Sequence, residues 1–398
     1  TYLSVTDTAP PVAIPQTMLD GVSNFILLAL PFFIFAGLIM EKGGISLRLV
    51  RFAMSLVGWL RGGLLQVVVV TVFLVSGISG SKVADVAAVG AVIRQELRKQ
   101  GYRLEEGAAV LAASAAMAET IPPSIAMLVL GSVTPISIGT LFIAGLLPAA
   151  VIALCLMLLI YVLARRRGMP ASTAQAAGPH WTRTLPGAIL PLVMPVAMLV
   201  GIRFGVATPT EVSSFSVIYG VVLASLVYRE MPLRSVLRHA GTCAATAGMV
   251  LFVLASASAF AWVLSAANLP QELVQVLHVA GDSRIVFMIG SIGLLIVVGS
   301  LLEGLPAITI LAPLLLPIAT QFGINGVQYG IVLILAMGIG AFMPPIGIGF
   351  YVAAAVAESR LEGAARAMVP YLVVLILAVL LIAFIPWITL ALPRALGG

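Results

Sequence analysis

The sequence predicts an all-α polytopic membrane protein made of two repeats, and three observations carry that prediction. Of 398 residues, 61% are hydrophobic and 9% charged, with a mean hydropathy of +1.16, whereas a soluble domain is about a quarter charged. Apolar runs close to the ~20 residues needed to cross a bilayer recur along the chain. One constant shift of 222 positions carries Gly77 to Gly299, Ser81 to Glu303, Pro122 and Pro123 to Pro344 and Pro345, and Pro148 to Pro370. The net charge of +6 does not point to nucleic acid, because the basic residues lie between apolar segments, where orientation in a membrane accounts for them.

The elements follow in order. Residues 1–20 carry Asp7 and Asp20 but no Lys or Arg and form a segment on the outer side. The first repeat, residues 21–168, opens with a span over 22–40 that ends at Gly43 and Gly44, since paired glycines stop a helix. Residues 45–60 are amphipathic, with Arg48 and Arg51 among apolar residues, and read as an interfacial helix. Residues 64–98 then form a hairpin that dips into the membrane and returns. Its Gly- and Ser-rich tip at 79–81, with Lys82 and Asp85 beside it, survives at membrane depth only if buried in protein or lining a wet cavity. Residues 105–121 form a half-helix halted at Pro122 and Pro123, which remove amide donors and restrict the residue before them. The chain resumes at 125–133, and 141–163 is an ordinary span.

A polar stretch over 168–181 leads from the first repeat into a linker region, residues 169–239, with two spans, 185–202 and 211–228, the second capped by Thr210. The second repeat, residues 240–398, contains a span over 240–266, a short connecting helix over 269–281 and a second hairpin over 285–318. A helix over 327–342 halts at Pro344 and Pro345, 346–357 resumes it, and 370–392 closes the chain. Cys155 and Cys243 fall in apolar runs, offer no disulfide framework or CxxC pair, and read as buried thiols.

Placing Arg165, Arg166 and Arg167 on the cytoplasmic side puts nearly all the basic residues there; only Arg203, Arg284 and Arg394 face outward, and Lys82 lies inside the membrane. Five crossings then separate the opening spans of the two repeats, so the repeats are inverted and their hairpins enter from opposite faces. Inverted repeats, broken helices and polar sites at mid-membrane together describe a secondary transporter.

Half-helix ends attract carboxylates at N-termini and cations at C-terminal carbonyls. Ser79, Gly80 and Asp85, completed by Thr120, offer a hard oxygen site suited to Na⁺, with Gly299, Ser300 and Gly340 as counterparts in the second half. Ser81, Ser124, Glu303 and Lys82 are the candidates for binding substrate. Other readings stand beside these: Asp85 as a helix-start charge paired with Lys82 three residues earlier, Glu303 as a protonated structural residue, and Glu119 as either. Lys82 sits close to the proposed Na⁺ site, where its ammonium must snorkel away or grip an anion. No CxxC, HExxH or GxSxG motif occurs, and the histidines are widely spaced, so no catalytic or cofactor site is expected and Na⁺ is the one metal.

The segments 30–37 (LPFFIFAG), 79–90 (SGSKVADVAAVG), 121–124 (IPPS), 208–211 (TPTE), 313–317 (PLLLP) and 344–347 (PPIG) resemble the large membrane subunit of tripartite ATP-independent periplasmic (TRAP) transporters, over essentially the whole chain. The resemblance implies an elevator-type, Na⁺-driven importer of the ion transporter superfamily in a bacterial inner membrane. It also implies a small four-helix membrane subunit, a soluble periplasmic binding protein that captures an organic acid, and lipids around the spans. Residues 1–20 would then be periplasmic, and helices that usually precede the 22–40 span would make the chain a truncated or excised piece. Lys82 and Glu119 stand where the family more usually has small or hydroxyl residues. A stand-alone Na⁺/dicarboxylate symporter of the same superfamily is the alternative, and a membrane-embedded enzyme the remoter one.

Overall fold

The computed structural model describes Pro10 and residues 12–167, 181–268 and 283–396. The connecting helix expected over 269–281, most of the polar stretch over 168–181 and most of residues 1–11 lie outside the described residues. What is described is helical, and eight helices are long and apolar enough to cross a membrane.

Helix α1, Ala13–Val22, leads to a single 3-10 turn, Phe25–Leu28, started by the Asn24 side chain accepting from Ile26 N at 3.0 Å. The turn continues as α2, Ala29–Lys42, which stops at Gly43. Gly44 follows at φ +71°, and a Cβ there would stand 1.6 Å from the Glu230 carboxylate. Helix α3, Ile45–Val57, buries Ile45, Leu49, Val50 and Ala53 on one face. Arg48 reaches Glu230 at 2.6 Å and lies 3.9 Å over the Tyr228 ring, so the amphipathic helix is pinned by its charged side as well.

The first hairpin consists of α4, Gly63–Ser79, and α5, Lys82–Lys99. Helix α6, Leu104–Ala118, follows, then the break at Pro122 and Pro123, then α7, Ile125–Val133. Helix α8, Ile138–Arg166, is longer than the span expected over 141–163, because Ser137 caps it early and Pro148 is carried inside it. Cys155 lies half-exposed on α8 and is not the buried thiol expected; Cys243 is buried.

Helix α9, Trp181–Arg203, contains three prolines. Helix α10, Pro209–Val221, runs on as a π-helical turn over Val222–Val227. Its cap is Thr208 and not Thr210 as the sequence suggested. Pro209 suits the first helical position, which moves the cap one residue before it, and Thr208 with Glu211 completes a reciprocal capping box. Thr210 is inside the first turn, 3.4 Å from the Phe25 carbonyl.

Helix α11, Leu233–Ala266, starts seven residues before the expected 240, directly after Pro232. The second hairpin is α12, Arg284–Leu301, and α13, Gly304–Gln321, which tolerates Pro313 and Pro317 and so runs past 318. Helix α14, Gly326–Ala341, leads to the second break and to α15, Ile348–Val356. The closing span divides: α16, Leu361–Phe384, starts nine residues before Pro370, and α17, Pro386–Ala395, follows. Pro386 disfavours a helical Ile385, which sits at φ −115°, ψ 86°.

Helices α6 and α14 form the centre. Every residue of α6 from Glu106 to Ala118 is buried, and so is every residue of α14 from Gln328 to Ala341, as expected of helices apolar all round. Element boundaries recur at the spacing seen in the sequence. Ends and starts at 79, 82, 99 and 104 are matched at 301, 304, 321 and 326.

Candidate functional site

The tip of the first hairpin is held by a carboxylate. Asp85, in the first turn of α5, is fully buried. Ser76 Oγ donates to its Oδ2 at 2.5 Å, and Ser79 Oγ donates to its Oδ1. Ser79 Oγ in turn accepts from Ser81 N at 3.1 Å. The tip turns at Gly80, at φ +63°, where a Cβ would meet the Pro123 carbonyl at 2.6 Å. A Cβ on Gly37 of α2 would stand 2.9 Å from the Ser79 carbonyl. Glycine at these two positions is what lets the tip seat between the first break and α2. Beside Asp85, a cavity of about 10 Å³ lies between Ser79, Ser46 and Glu41. That is near the lower bound of the roughly 10–15 Å³ one water requires.

Lys82 does not pair with Asp85. Its Nζ lies 2.5 Å from Glu119 Oε1, and the two side chains are 11% and 8% exposed. Lys82 begins α5 and Glu119 is the C-cap of α6, so two elements that are distant in sequence bring the charges together. With the ammonium held there, Lys82 is a partner of Glu119 and not a free group for substrate.

Thr120 is fully buried, and its hydroxyl donates to Met117 O at 2.8 Å, closing its own helix end. Ser124 caps α7, its Oγ accepting from Met127 N at 3.3 Å, and is also buried. Both hydroxyls serve helix ends at the first break. In the second half, Ser300 Oγ donates to Val297 O at 2.7 Å. A Cβ on Gly299 would meet Met337 O at 2.7 Å, and one on Gly340 would meet Ile296 O at 2.2 Å. These two glycines let α12 and α14 touch backbone to backbone below the second tip. The Pro122–Pro123 and Pro344–Pro345 bonds are both cis.

A cleft of about 510 Å³ opens between the two tips, α2 and α11. Its polar lining is Ser79, Ser81, Glu303, Glu41, Thr242 and Thr246, within mainly apolar walls. Three helices begin at this cleft: Ser81 is the N-cap of α5, Ile125 opens α7 and Glu303 is the N-cap of α13. Each N-terminus carries a partial positive charge of about half a unit, which offers an anionic group three local points of attraction in a cleft that also holds the Glu41 and Glu303 carboxylates. Ser76, Glu41, Thr242 and Thr246 were missed by sequence reasoning. The two threonines stand four residues apart in an apolar helix, and that spacing on one face was the available signal.

The sequence matches a family described as the tripartite ATP-independent periplasmic transporter, DctM component, over residues 1–388. It is 35% identical over 377 residues to the C4-dicarboxylate TRAP transporter large permease protein DctM of Pseudomonas aeruginosa, covering 94% of this chain and 87% of that protein. It is 35% identical over 372 residues to the 2,3-diketo-L-gulonate TRAP transporter large permease protein YiaN of Escherichia coli, covering 93% and 87%. The sialic acid TRAP transporter large permease protein SiaM of Vibrio cholerae is 33% identical over 383 residues, covering 96% and 90%. In three dimensions the chain resembles the crystal structure of the Alcanivorax borkumensis YdaH transporter, with a TM-score of 0.64 over 96% of this chain and 89% of that one, at 16% identity. At that identity the likeness speaks for the fold.

Proposed function

The chain belongs to the tripartite ATP-independent periplasmic transporter family as a DctM component, and from that premise we propose that it imports a small organic acid across a bacterial inner membrane, driven by Na⁺. A soluble periplasmic protein delivers the acid, and a small four-helix membrane subunit completes the carrier. The cleft between the two hairpin tips is the observation that carries this reading, because three helix N-termini meet there and suit a carboxylate. The relatives whose names specify C4-dicarboxylates, 2,3-diketo-L-gulonate and sialic acid support organic acids as the substrate class.

Sodium belongs beside Asp85, where a full carboxylate, two serine hydroxyls and a cavity the size of one small body coincide. Hard oxygen donors of this kind suit a hard cation. In the second half the Na⁺ ligands are backbone oxygens near Gly299, Ser300 and Gly340. The matching element boundaries support two repeats, and an odd number of crossings between them makes the repeats inverted. The hairpins and broken helices then move together past α2 and α11 as an elevator, carrying the cleft from one face to the other.

The test is uptake of a labelled organic acid into proteoliposomes holding this chain and its small subunit. Uptake is expected only with both the binding protein and an inward Na⁺ gradient. Equal uptake without the binding protein would instead identify a stand-alone symporter, and equal uptake without the gradient would remove sodium from the mechanism.

A further inference from the structure

The Lys82–Glu119 pair sits where neither charge helps its own helix. Glu119 adds a negative charge to the C-terminal end of α6, and Lys82 adds a positive one to the N-terminal end of α5, each opposed by the helix dipole. Glu119 is 92% buried and its Oε2 has no hydrogen-bond partner. The Ala116 carbonyl lies close by: a Cβ on Gly338 would stand 2.6 Å from that oxygen and 3.2 Å from Glu119 Oε2. A Cβ on Gly304 of α13 would stand 3.2 Å from Lys82 Nζ and 3.4 Å from Glu119 Oε1. The Glu119 carboxylate thus lies between two glycines, with the Ala116 carbonyl of its own helix end beside Gly338 near Oε2 and the Lys82 ammonium beside Gly304 near Oε1, and one of its two oxygens has no hydrogen bond. A buried carboxylate with a backbone carbonyl at a helix C-terminus is the chemistry of a cation site.

We propose that the Glu119 carboxylate is a monovalent-cation site that this chain keeps filled with its own Lys82 ammonium, so that Na⁺ binds there only when the ammonium is removed. The ammonium brings a full positive charge to the carboxylate without being drawn from solution. In the sodium-driven importer of the preceding section, on which this consequence rests, the tethered charge travels with the hairpin. The carrier therefore takes up one Na⁺ fewer per cycle than it would with the position open.

The experiment compares the purified full chain with its Lys82→Ala and Lys82→Gln/Glu119→Gln variants, each titrated with NaCl against choline chloride while thermal unfolding is followed. Lys82→Ala is expected to show a saturable, sodium-specific rise in Tm beyond that of the unsubstituted protein. The double variant is expected to lack this extra rise. A Lys82→Ala response equal to that of the unsubstituted protein overturns the proposal, as does an extra rise that survives in the double variant. So does a Lys82→Ala protein that fails to fold in saturating Na⁺ while the double variant folds, because the ion then does not replace the ammonium. An unsubstituted protein indifferent to Na⁺ would count against sodium coupling at Asp85, yet a sodium response confined to Lys82→Ala would still support the site at Glu119.

Discussion

Asp85 collects two serine hydroxyls in a fully buried position at the first hairpin tip, and its neutral isostere tests what that carboxylate does. Asp85→Asn removes the charge from both bonds. A hydrogen bond to a charged group contributes about 1.5–3 kcal/mol, and about 1.4 kcal/mol is tenfold, so half-saturating Na⁺ in an uptake assay is expected to rise at least about tenfold. An unchanged value would make Asp85 a brace for the tip alone. Asp85 and Ser79 were legible as a pair, because hydroxyls and an acid six residues apart across a glycine turn have few other partners at membrane depth. Ser76 was not, since it lies inside the apolar run of α4 and reaches Asp85 only once the hairpin folds back. The partner of Lys82 was hidden for the same reason. Asp85 stood three residues away on one helix, whereas Glu119 is brought in by tertiary packing between α5 and α6.

Among the elements, the two hairpins and two proline breaks were legible because small polar residues and paired prolines stand out in apolar surroundings. Element ends were less so. Proline stops a helix only where its missing amide and ring conflict with the preceding turn, and Pro313, Pro317 and Pro370 are all carried inside helices. The glycines of α12 and α14 separate into two kinds that the sequence does not distinguish. Gly340→Ala places a methyl 2.2 Å from Ile296 O and is expected to lower stability by about 1–3 kcal/mol through overpacking. Gly293→Ala, on α12, meets nothing within 4 Å and is expected to be neutral or to stabilise by up to about 1 kcal/mol through helix propensity. Thermal unfolding of the two variants side by side measures the difference, and equal effects would mean that α12 and α14 are not locked at this crossing.

For the whole molecule, the cleft depends on surfaces from α2, α11 and both tips, and only the tip residues were predicted. Thr246 lies on the α11 wall of the cleft and belongs to neither helix-capping set. Thr246→Trp is expected to reduce organic-acid uptake at least about tenfold by filling the space a ligand needs, since a tryptophan buries up to roughly 250 Å², while leaving the unfolding midpoint nearly unchanged. Uptake that persists would place the substrate path elsewhere. The arrangement of the centre also bears on how the chain is made. Helix α6 packs against α16, which begins at Leu361, about 240 residues after α6 ends. At ribosomal speeds of about 5–20 residues per second, that interval is roughly 10–50 s. Throughout it, a helix destined to be buried on every side waits in or beside the bilayer without its counterpart. The newly made first half is thus an orphan by design, and a ribosome stalled before the codon for Leu361 leaves a product that quality-control proteases, rather than any loss of transport, will be the first to register.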